Sequence, residues 1–171
     1  LQHLHLQNNQ LTSLPQQIGS LQNLEWLFLG GNQLTSLPQQ IGSLQNLQEL
    51  DLHCNQLTSL PEQIGSLQNL QVLNLWCNEL TSLPQQIGSL QNLKELDLAG
   101  NQLTSLPQEI GRLQNLQWLS LDTNPVICSI LEADGVRLDD SKATAQDVMG
   151  LARAAVTRAA MTKRALERDL T

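Results

Sequence analysis

Residues 47–69 read LQELDLHCNQLTSLPEQIGSLQN, and the same pattern returns every 23 residues along most of the chain. Rows of this length begin at Leu1, Leu24, Leu47, Leu70, Leu93 and Leu116, and each opens with L-x-x-L-x-L-x-x-N. A fixed period of roughly 20–50 residues is the signature of a stacked-repeat architecture. We therefore expect the chain to fold row upon row, and we number the positions within each row as slots one to twenty-three.

The apolar slots explain why one row depends on its neighbours. Strand-like alternation places Leu50 and Leu52 of the third row on one face, and Leu47 opens the row before them. The apolar set continues through the rest of that row at Leu57, Leu60, Ile64 and Leu67. A single row cannot bury these side chains, whereas stacked rows bury them in one continuous core. The pattern predicts a solenoid.

An asparagine in slot nine interrupts the apolar set in every row. Its positions are Asn9, Asn32, Asn55, Asn78, Asn101 and Asn124. Buried amides are tolerated only when they are hydrogen-bonded. We therefore expect a ladder in which each amide bonds backbone groups of its own turn and of the next row.

A proline in slot fifteen marks the outer side of each of the five full rows. Pro61 and its equivalents precede a short Q-Q-I-G-type run. Proline at the first position of a helical turn sacrifices no hydrogen bond. This predicts a short helical or 3₁₀ turn in each row, closed by Gly19 and its equivalents.

Taken together, the pattern L-x-x-L-x-L-x-x-N-x-L-x-x-L-P-x-x-I-x-x-L-x-x resembles the 23-residue subtype of the leucine-rich repeat family that is found in intracellular and bacterial proteins. The resemblance covers residues 1–124, which hold five full rows and the start of a sixth. It implies a curved α/β solenoid with a parallel β-sheet on the concave side and short turns on the convex side. Members of the family mostly bind other proteins through the concave side.

The slots differ in how much they vary along the chain. Slots ten to twenty-three repeat QLTSLPQQIGSLQN, and over five rows they depart from it only at Glu62, Glu79, Glu109 and Arg112. The solvent-facing slots two, three, five, seven and eight change from row to row instead. A nearly constant frame that carries one diversified face indicates a recognition surface.

Strand alternation places slots three, five and seven on that face, and with them all four aromatic residues of the chain. Exposed aromatic side chains on one face usually mark binding, because Trp anchors dominate interface energetics. The alternative is that large side chains merely cover a solvated sheet. The candidate partner-binding residues are Trp26, Phe28, Glu49, Asp51, His53, Val72, Asn74, Trp76, Glu95, Asp97, Trp118 and Asp122.

The net charge of −7 lies in the repeats. Residues 1–124 hold nine acids and two bases, whereas residues 125–171 hold seven of each. An acidic face with Lys94 as its base argues against nucleic acid, whose phosphates need a basic surface. It favours a protein partner with a basic patch, although acids can also serve only to keep a sheet soluble. No apolar run is long enough to span a membrane.

The sequence offers little for catalysis or for metal binding. Cys54 and Cys77 share slot eight in adjacent rows, with Cα atoms about 5 Å apart, but parallel side chains would hold the Cβ atoms too far apart for a disulfide. We expect two free thiols. His53 lies beside them without a fourth ligand, so we expect no metal. No phosphate loop or H-E-x-x-H motif occurs, and we expect no cofactor and no enzymatic activity.

The row pattern stops after Asn124, which divides the chain into a repeat solenoid at 1–124 and a segment at 125–171. A capping-box variant at 144–147 predicts a long Ala-rich helix that continues to about Asp169. We expect this segment to cap the open end of the solenoid, the alternative being a helical arm or linker. Cys128 lacks the surroundings of a disulfide-bonded extracellular cap. The compartment stays open, with an intracellular or host-delivered setting favoured over an extracellular one.

Three functions compete. The first is a non-enzymatic binding module. The second is the substrate-recognition part of a larger bacterial effector such as a ubiquitin ligase, although a tail of 47 residues is too short for a catalytic domain. The third is a structural protein that self-associates through the uncapped N-terminal edge of the sheet, because unpaired edges invite pairing.

Overall fold

The structure, a computed structural model, describes residues 1–125 together with Ser129 and Gly150. Within these residues, six short β-strands alternate with five 3₁₀ helices. The strands are β1 (His3–His5), β2 (Trp26–Phe28), β3 (Glu49–Asp51), β4 (Val72–Asn74), β5 (Glu95–Asp97) and β6 (Trp118–Ser120). The 3₁₀ helices span Gln16–Ser20, Gln39–Ser43, Glu62–Ser66, Gln85–Ser89 and Gln108–Arg112.

The strands form one open parallel sheet in chain order, as the repeat predicts. Each strand pairs with the next in a register that aligns equal slots, so that Glu49 lies beside Val72 and Val72 beside Glu95. Each slot therefore forms a column that runs across the sheet. Curvature follows from this stacking of identical wedges, and the predicted strands and 3₁₀ turns are both confirmed.

The core is a stack of leucine columns. Leu50, Leu73 and Leu96, the central residues of three consecutive strands, are fully buried, and so is Ile64 of the third 3₁₀ helix. Leu4 of the first row is only partly buried. Rows two to five thus gain their apolar burial from the rows on both sides, and the leucine columns form one continuous core.

The asparagine ladder exists, but its direction differs from the expectation. The Asn55 amide nitrogen donates to the carbonyl oxygen of Leu52 in its own row, at 3.0 Å, and to that of Leu29 in the preceding row, also at 3.0 Å. The Leu34 N–H donates to the Asn55 side-chain oxygen at 2.9 Å. The prediction that the amide bonds the next row was wrong, because its partners belong to the row before.

A local hydrogen bond accompanies this arrangement in the third row, although Asn32 also donates to the preceding row, at Leu6, with Phe28 in slot five. The N–H of His53 donates to the carboxylate of Asp51 at 3.1 Å. It is thereby diverted from the parallel ladder, and the Leu29 carbonyl accepts from the Asn55 amide instead. The same substitution recurs in the next row, where the Trp76 N–H donates to the side chain of Asn74.

The turn residues also differ in detail from the prediction. Pro61 lies just before the 3₁₀ helix in extended conformation (φ −68°, ψ 147°), and its carbonyl accepts the Ile64 N–H at 3.0 Å. Gly65 lies inside the helix and does not close it. A Cβ atom at Gly65 would lie 2.5 Å from the backbone oxygen of Gln86 in the next row. Glycine is therefore required in slot nineteen for the close packing of neighbouring 3₁₀ helices.

The predicted helical cap at residues 125–171, and Cys128 within it, lie outside the described residues apart from Pro125, Ser129 and Gly150. Along the part of the chain that the structure does describe, no helix is long and apolar enough to cross a membrane.

Candidate functional site

The twelve candidate residues lie on β2–β6 or two residues beyond a strand, in the slot-three, slot-five and slot-seven columns. We call these columns the concave face. Three of its four aromatic side chains are well exposed, with 39% of Trp26, 45% of Trp76 and 47% of Trp118 accessible to solvent. Phe28 is half-buried.

An aromatic–imidazole cluster, consisting of His3, His5, Trp26 and Phe28, covers the first two rows of this face. The His3 ring stacks on Trp26 with centroids 4.0 Å apart and an interplanar angle of 9°. His5 stacks on Phe28 at 4.9 Å, and Trp26 meets Phe28 at 6.5 Å. Sequence analysis left both histidines out of the candidate set. Their slots would have included them, since they are the register partners of Trp26 and Phe28.

Trp76 is supported by a second chain of contacts in the middle of the face. Its ring stacks on His53 with centroids 6.1 Å apart. The Nδ1 atom of His53 lies 2.8 Å from a carboxylate oxygen of Asp51. The ring of His53 also fills the space where a Cβ atom at Gly30 would lie. The absence of a side chain at Gly30 therefore lets His53 lie flat and support the exposed Trp76 ring.

Three polar candidates in slot five have a structural role that sequence analysis missed. The side chains of Asp51, Asn74 and Asp97 each accept the backbone N–H of the residue two positions later, at 3.0–3.1 Å. Asp and Asn are suited to this because their short side chains reach the nearby backbone. Replacing one of these residues would disturb the strand end as well as the surface chemistry.

The carboxylates of the face repel one another. Burial raises the pKa of Glu49 above its ordinary value, and the neighbouring charges of Asp51 and Glu95 raise it further. Such shifts arise where the ionised form is poorly solvated and is surrounded by like charges. The Lys94 ammonium, in slot two, donates to the side-chain oxygen of Gln71 in the same slot of the preceding row, at 2.8 Å.

Asp97 shows the same effect against two opposing contacts. Burial raises its pKa, and so does the charge of Asp122. The hydrogen bonds from the Ala99 N–H and from Ser120 lower it, but the net shift is upward. In the middle of the concave face, the hydrogen bonds to Asp97 therefore do not fully compensate for the burial and the like charge that disfavour its ionised form.

Slot eight is constrained by the backbone, contrary to its interpretation as a freely diversified slot. Its residue has a positive φ in all six rows, at Asn8, Gly31, Cys54, Cys77, Gly100 and Thr123. In this left-handed region Gly and Asn are favoured. Cys54 is half-buried and Cys77 is exposed, and both are free thiols. Within residues 1–125, no group of three His, Cys, Asp or Glu side chains is placed to hold a metal ion.

The family model of the leucine-rich repeat region matches residues 1–81 and 50–133. The chain belongs to the leucine-rich repeat family. No curated protein matches its sequence, but solved structures of leucine-rich repeat proteins do.

A leucine-rich repeat protein of Leptospira interrogans is 49% identical to this leucine-rich repeat chain, with a TM-score of 0.70 over 72% of it and 31% of that chain. The leucine-rich repeat domain of the type III effector XopL is 36% identical, with a TM-score of 0.69 over 74% of this chain and 46% of that one. The ectodomain of the Arabidopsis thaliana receptor kinase GASSHO1/SCHENGEN3, solved in complex with Casparian strip integrity factor 2, is 42% identical, with a TM-score of 0.66 over 71% and 15%. The chain thus spans less than half the length of each of these three proteins.

Proposed function

We propose that this leucine-rich repeat chain is a non-enzymatic module that binds a protein partner through its concave face. The observation that carries the proposal is the combination, on this one diversified face, of exposed tryptophans and mutually repelling carboxylates. The leucine-rich repeat fold generally serves protein interaction, and the receptor and effector domains that it resembles are in keeping with that use.

The aromatic residues are proposed as anchors. Trp76 lies in the slot-seven column, two residues beyond β4 and near the centre of the sheet. Its ring stacks on His53, so little side-chain freedom remains to be lost on binding. Trp26 is held in the same way by His3. Pre-oriented aromatic side chains that are exposed before binding are the residue type that most often dominates interface energetics.

The carboxylates are proposed to select the partner. Burial is the main cause of the raised pKa of Glu49 and Asp97, and an incoming Lys or Arg would offset the neighbouring negative charges that raise it further. Complementary charge of this kind contributes specificity and a faster encounter. The partner should therefore carry a basic patch about as wide as β3–β5, next to apolar residues that contact the tryptophans.

The test compares variants in a pull-down from host-cell and own-cell lysates, followed by titration with the captured partner. Trp76→Ala should weaken binding by about 2 kcal/mol, which is roughly thirtyfold, with an unchanged melting temperature. Glu95→Gln should slow association, and the difference should shrink as salt is added.

Glu62→Gln is the matched control for charge, because Glu62 is an exposed acid on the convex 3₁₀ helix. It should bind as the wild type does. If Trp76→Ala and Glu95→Gln both bind a captured partner normally, the concave-face assignment is wrong and the convex turns become the surface to examine.

A second candidate is the substrate-recognition part of a larger bacterial effector. It is favoured by the 36% identity to the leucine-rich repeat domain of XopL, together with the fact that the chain spans 46% of that domain's chain. Activity of the full-length gene product, assayed with and without residues 1–125, separates it from a free-standing binding module. Association of the chain with itself would be seen as a mass above that of the monomer in sedimentation.

We also propose that residues 125–171 cap the solenoid beyond row six, where Leu116, Leu119 and Leu121 form the last apolar layer. Deletion of residues 140–171 should lower the melting temperature and increase the binding of an apolar dye. An unchanged melt would favour a helical arm instead.

A further inference from the structure

The composition of the concave face alternates from row to row. Its exposed tryptophans lie in rows two, four and six, at Trp26, Trp76 and Trp118. Rows three and five instead carry the tripeptide Glu-Leu-Asp in their strands, at Glu49–Asp51 and Glu95–Asp97. Rows with an exposed tryptophan and rows with a pair of carboxylates therefore form alternating bands across the sheet.

The two acidic bands hold carboxylates that have no partner of their own. Within residues 1–125, the side chains of Glu49 and Glu95 make no hydrogen bond and no ion pair. Asp51 and Asp97, by contrast, each accept a backbone N–H two residues later, and Asp122 adds one more acid in row six. The register places Glu49 and Glu95 on either side of row four, two strand spacings or about 9.6 Å apart. The concave side chains of row four are uncharged.

The spacing of the bands selects the conformation of a partner segment that crosses the strands. An α-helix advances about 5.4 Å per turn, so it presents about one turn to each row, and residues i and i+7 recur on one face after about 10.5 Å. An extended strand repeats its face after about 6.6 Å and again after about 13.2 Å, and neither distance matches the bands. A polyproline II segment repeats its face after about 9.3 Å, but it leaves every second row without a facing side chain.

The dimensions of the concave face also accommodate a helix. Slots three to seven span four residues of extended backbone, about 13 Å, and a helix with its side chains is about 10–12 Å wide. Between rows two and six, four helical turns exceed four strand spacings by about 2.4 Å. The flexible side chains of Lys and Arg absorb a mismatch of this size, because their charged ends are carried on long stems.

We propose that the partner presents an amphipathic α-helix that lies across the strands of the concave face, with one turn over each row. Apolar side chains at positions i, i+7 and i+14 of this helix contact the tryptophans of rows two, four and six. Lys or Arg at i+4 and i+11, on the same face of the helix, pair with Glu49 and Glu95. This inference rests on the proposed concave-face function, and it adds the secondary structure and the residue spacing of the partner.

The probes are three fluorescently labelled synthetic peptides with acetyl and amide ends, titrated with the full chain. The first is an Ala- and Gln-rich helix with Leu at i, i+7 and i+14 and Lys at i+4 and i+11. The second has the same composition, but its lysines occupy i+2 and i+9, on the opposite face of the helix. The third replaces two interior Ala residues of the first by Pro, which prevents the helix from forming.

Fluorescence anisotropy measures the three affinities. The first peptide should bind at least roughly tenfold more tightly than the second or the third, because it alone aligns both lysines with the unpaired carboxylates. Its helical circular dichroism signal should increase on binding. A proline peptide that binds as well as the first would overturn the helix and indicate an extended segment. Equal affinities of the first and second peptides would overturn the proposed residue spacing.

Variants of the chain connect the peptide result to the assigned residues. Glu49→Gln and Glu95→Gln should each weaken binding of the first peptide by about threefold at low salt. Glu62→Gln, on the convex side, should leave its affinity unchanged. Wild-type affinity in both concave variants would contradict the assigned ion pairs.

The first peptide also separates this inference from the function on which it rests. If that peptide does not bind the chain, the helix proposal is overturned. The proposed concave-face function is decided independently, by whether Trp76→Ala weakens binding of the partner captured from lysate.

Discussion

The frame of the solenoid and its concave face obey different constraints, although they alternate within every row. Frame residues bond the neighbouring rows: the Gln45 side chain donates to the carbonyls of Gly42 and Ser66, and that of Asn69 donates to the carbonyl of Gln45. Side chains of the concave face mainly contact one another or the local backbone. A frame residue must therefore fit against the equivalent residues of the rows before and after it. A residue of the concave face is constrained only by the side chains and backbone around it.

The largest expected difference in stability between the frame and the concave face is found at two adjacent residues of β4. Leu73 is fully buried in the leucine columns, whereas Val72 lies half-buried on the concave face. Leu73→Ala should lower the free energy of unfolding by about 3 kcal/mol, through lost burial and the cavity that remains. Val72→Ala should cost less than about 1 kcal/mol. Urea unfolding measures both, and equal losses would mean that the two sides are not distinct.

The next effect concerns the asparagine ladder. The Asn78 amide bonds the carbonyl of Leu52 in the preceding row, and its oxygen accepts from the Leu57 N–H. Asn78→Ala leaves these buried groups unpaired and should cost about 1–3 kcal/mol. Asn9 is exposed and bonds only carbonyls of its own row, Leu6 and Gln7.

Asn9→Ala is therefore the matched control, and it should cost less than about 0.5 kcal/mol. Thermal and urea unfolding of both variants would measure the part of the ladder that joins rows. Similar losses for the two would show that the bonds within a row carry the stability.

The smallest effect tests the charge of the concave face. The pKa of Glu49 is raised in the folded chain above its ordinary 4.5, and that of Asp97 above its ordinary 3.8. Between the unfolded and folded pKa values the folded chain binds more protons, so its stability falls as the pH rises through this window. Above the window the full cost of ionisation is present.

Glu49→Gln should therefore stabilise the chain at neutral pH, by at most a few tenths of a kcal/mol because the site is partly screened by solvent. The gain should vanish as the pH falls well below the ordinary pKa of 4.5, where the carboxyl is protonated in both states. The unfolding free energy measured from about pH 3 to 7 tests this. A loss of stability at neutral pH would show that the ionised carboxylate is favoured in the fold.

The sequence was sufficient to predict what depends on period and polarity. Leucine spacing predicted the strands, their parallel order and the columns, because these follow from repeating one amphipathic unit. It could not predict the direction of the ladder, since the repeat pattern does not show which neighbouring row presents its carbonyl to the amide; Asn32 and Asn55 both donate to the preceding row. Nor could it show that Gly65 serves the neighbouring row, because only the packed 3₁₀ helices reveal how near Gln86 comes.

The sequence predicted which residues share the concave face, but it did not predict the contacts between their side chains. Alternation placed Trp26, Phe28 and Trp76 on one face, but the stacking of His3 and His5 depends on the register and on side-chain conformations. The positive φ at slot eight was not predicted, because Cys and Thr also occupy this slot. Only residues such as Gly31 and Gly100 indicate a preference for the left-handed region.

The equal-slot register has a consequence for how such a chain can change. The recurring inter-row bonds of the frame join a fixed slot to a fixed slot. A 23-residue segment such as 47–69 could therefore be duplicated in the gene, and these frame bonds would form again at the new junctions. The exposed side chains would then move apart in steps of about 4.8 Å, with Trp26 and Trp118 one strand farther from each other. Recombination can thus adjust the length and spacing of the recognition surface without redesigning the core.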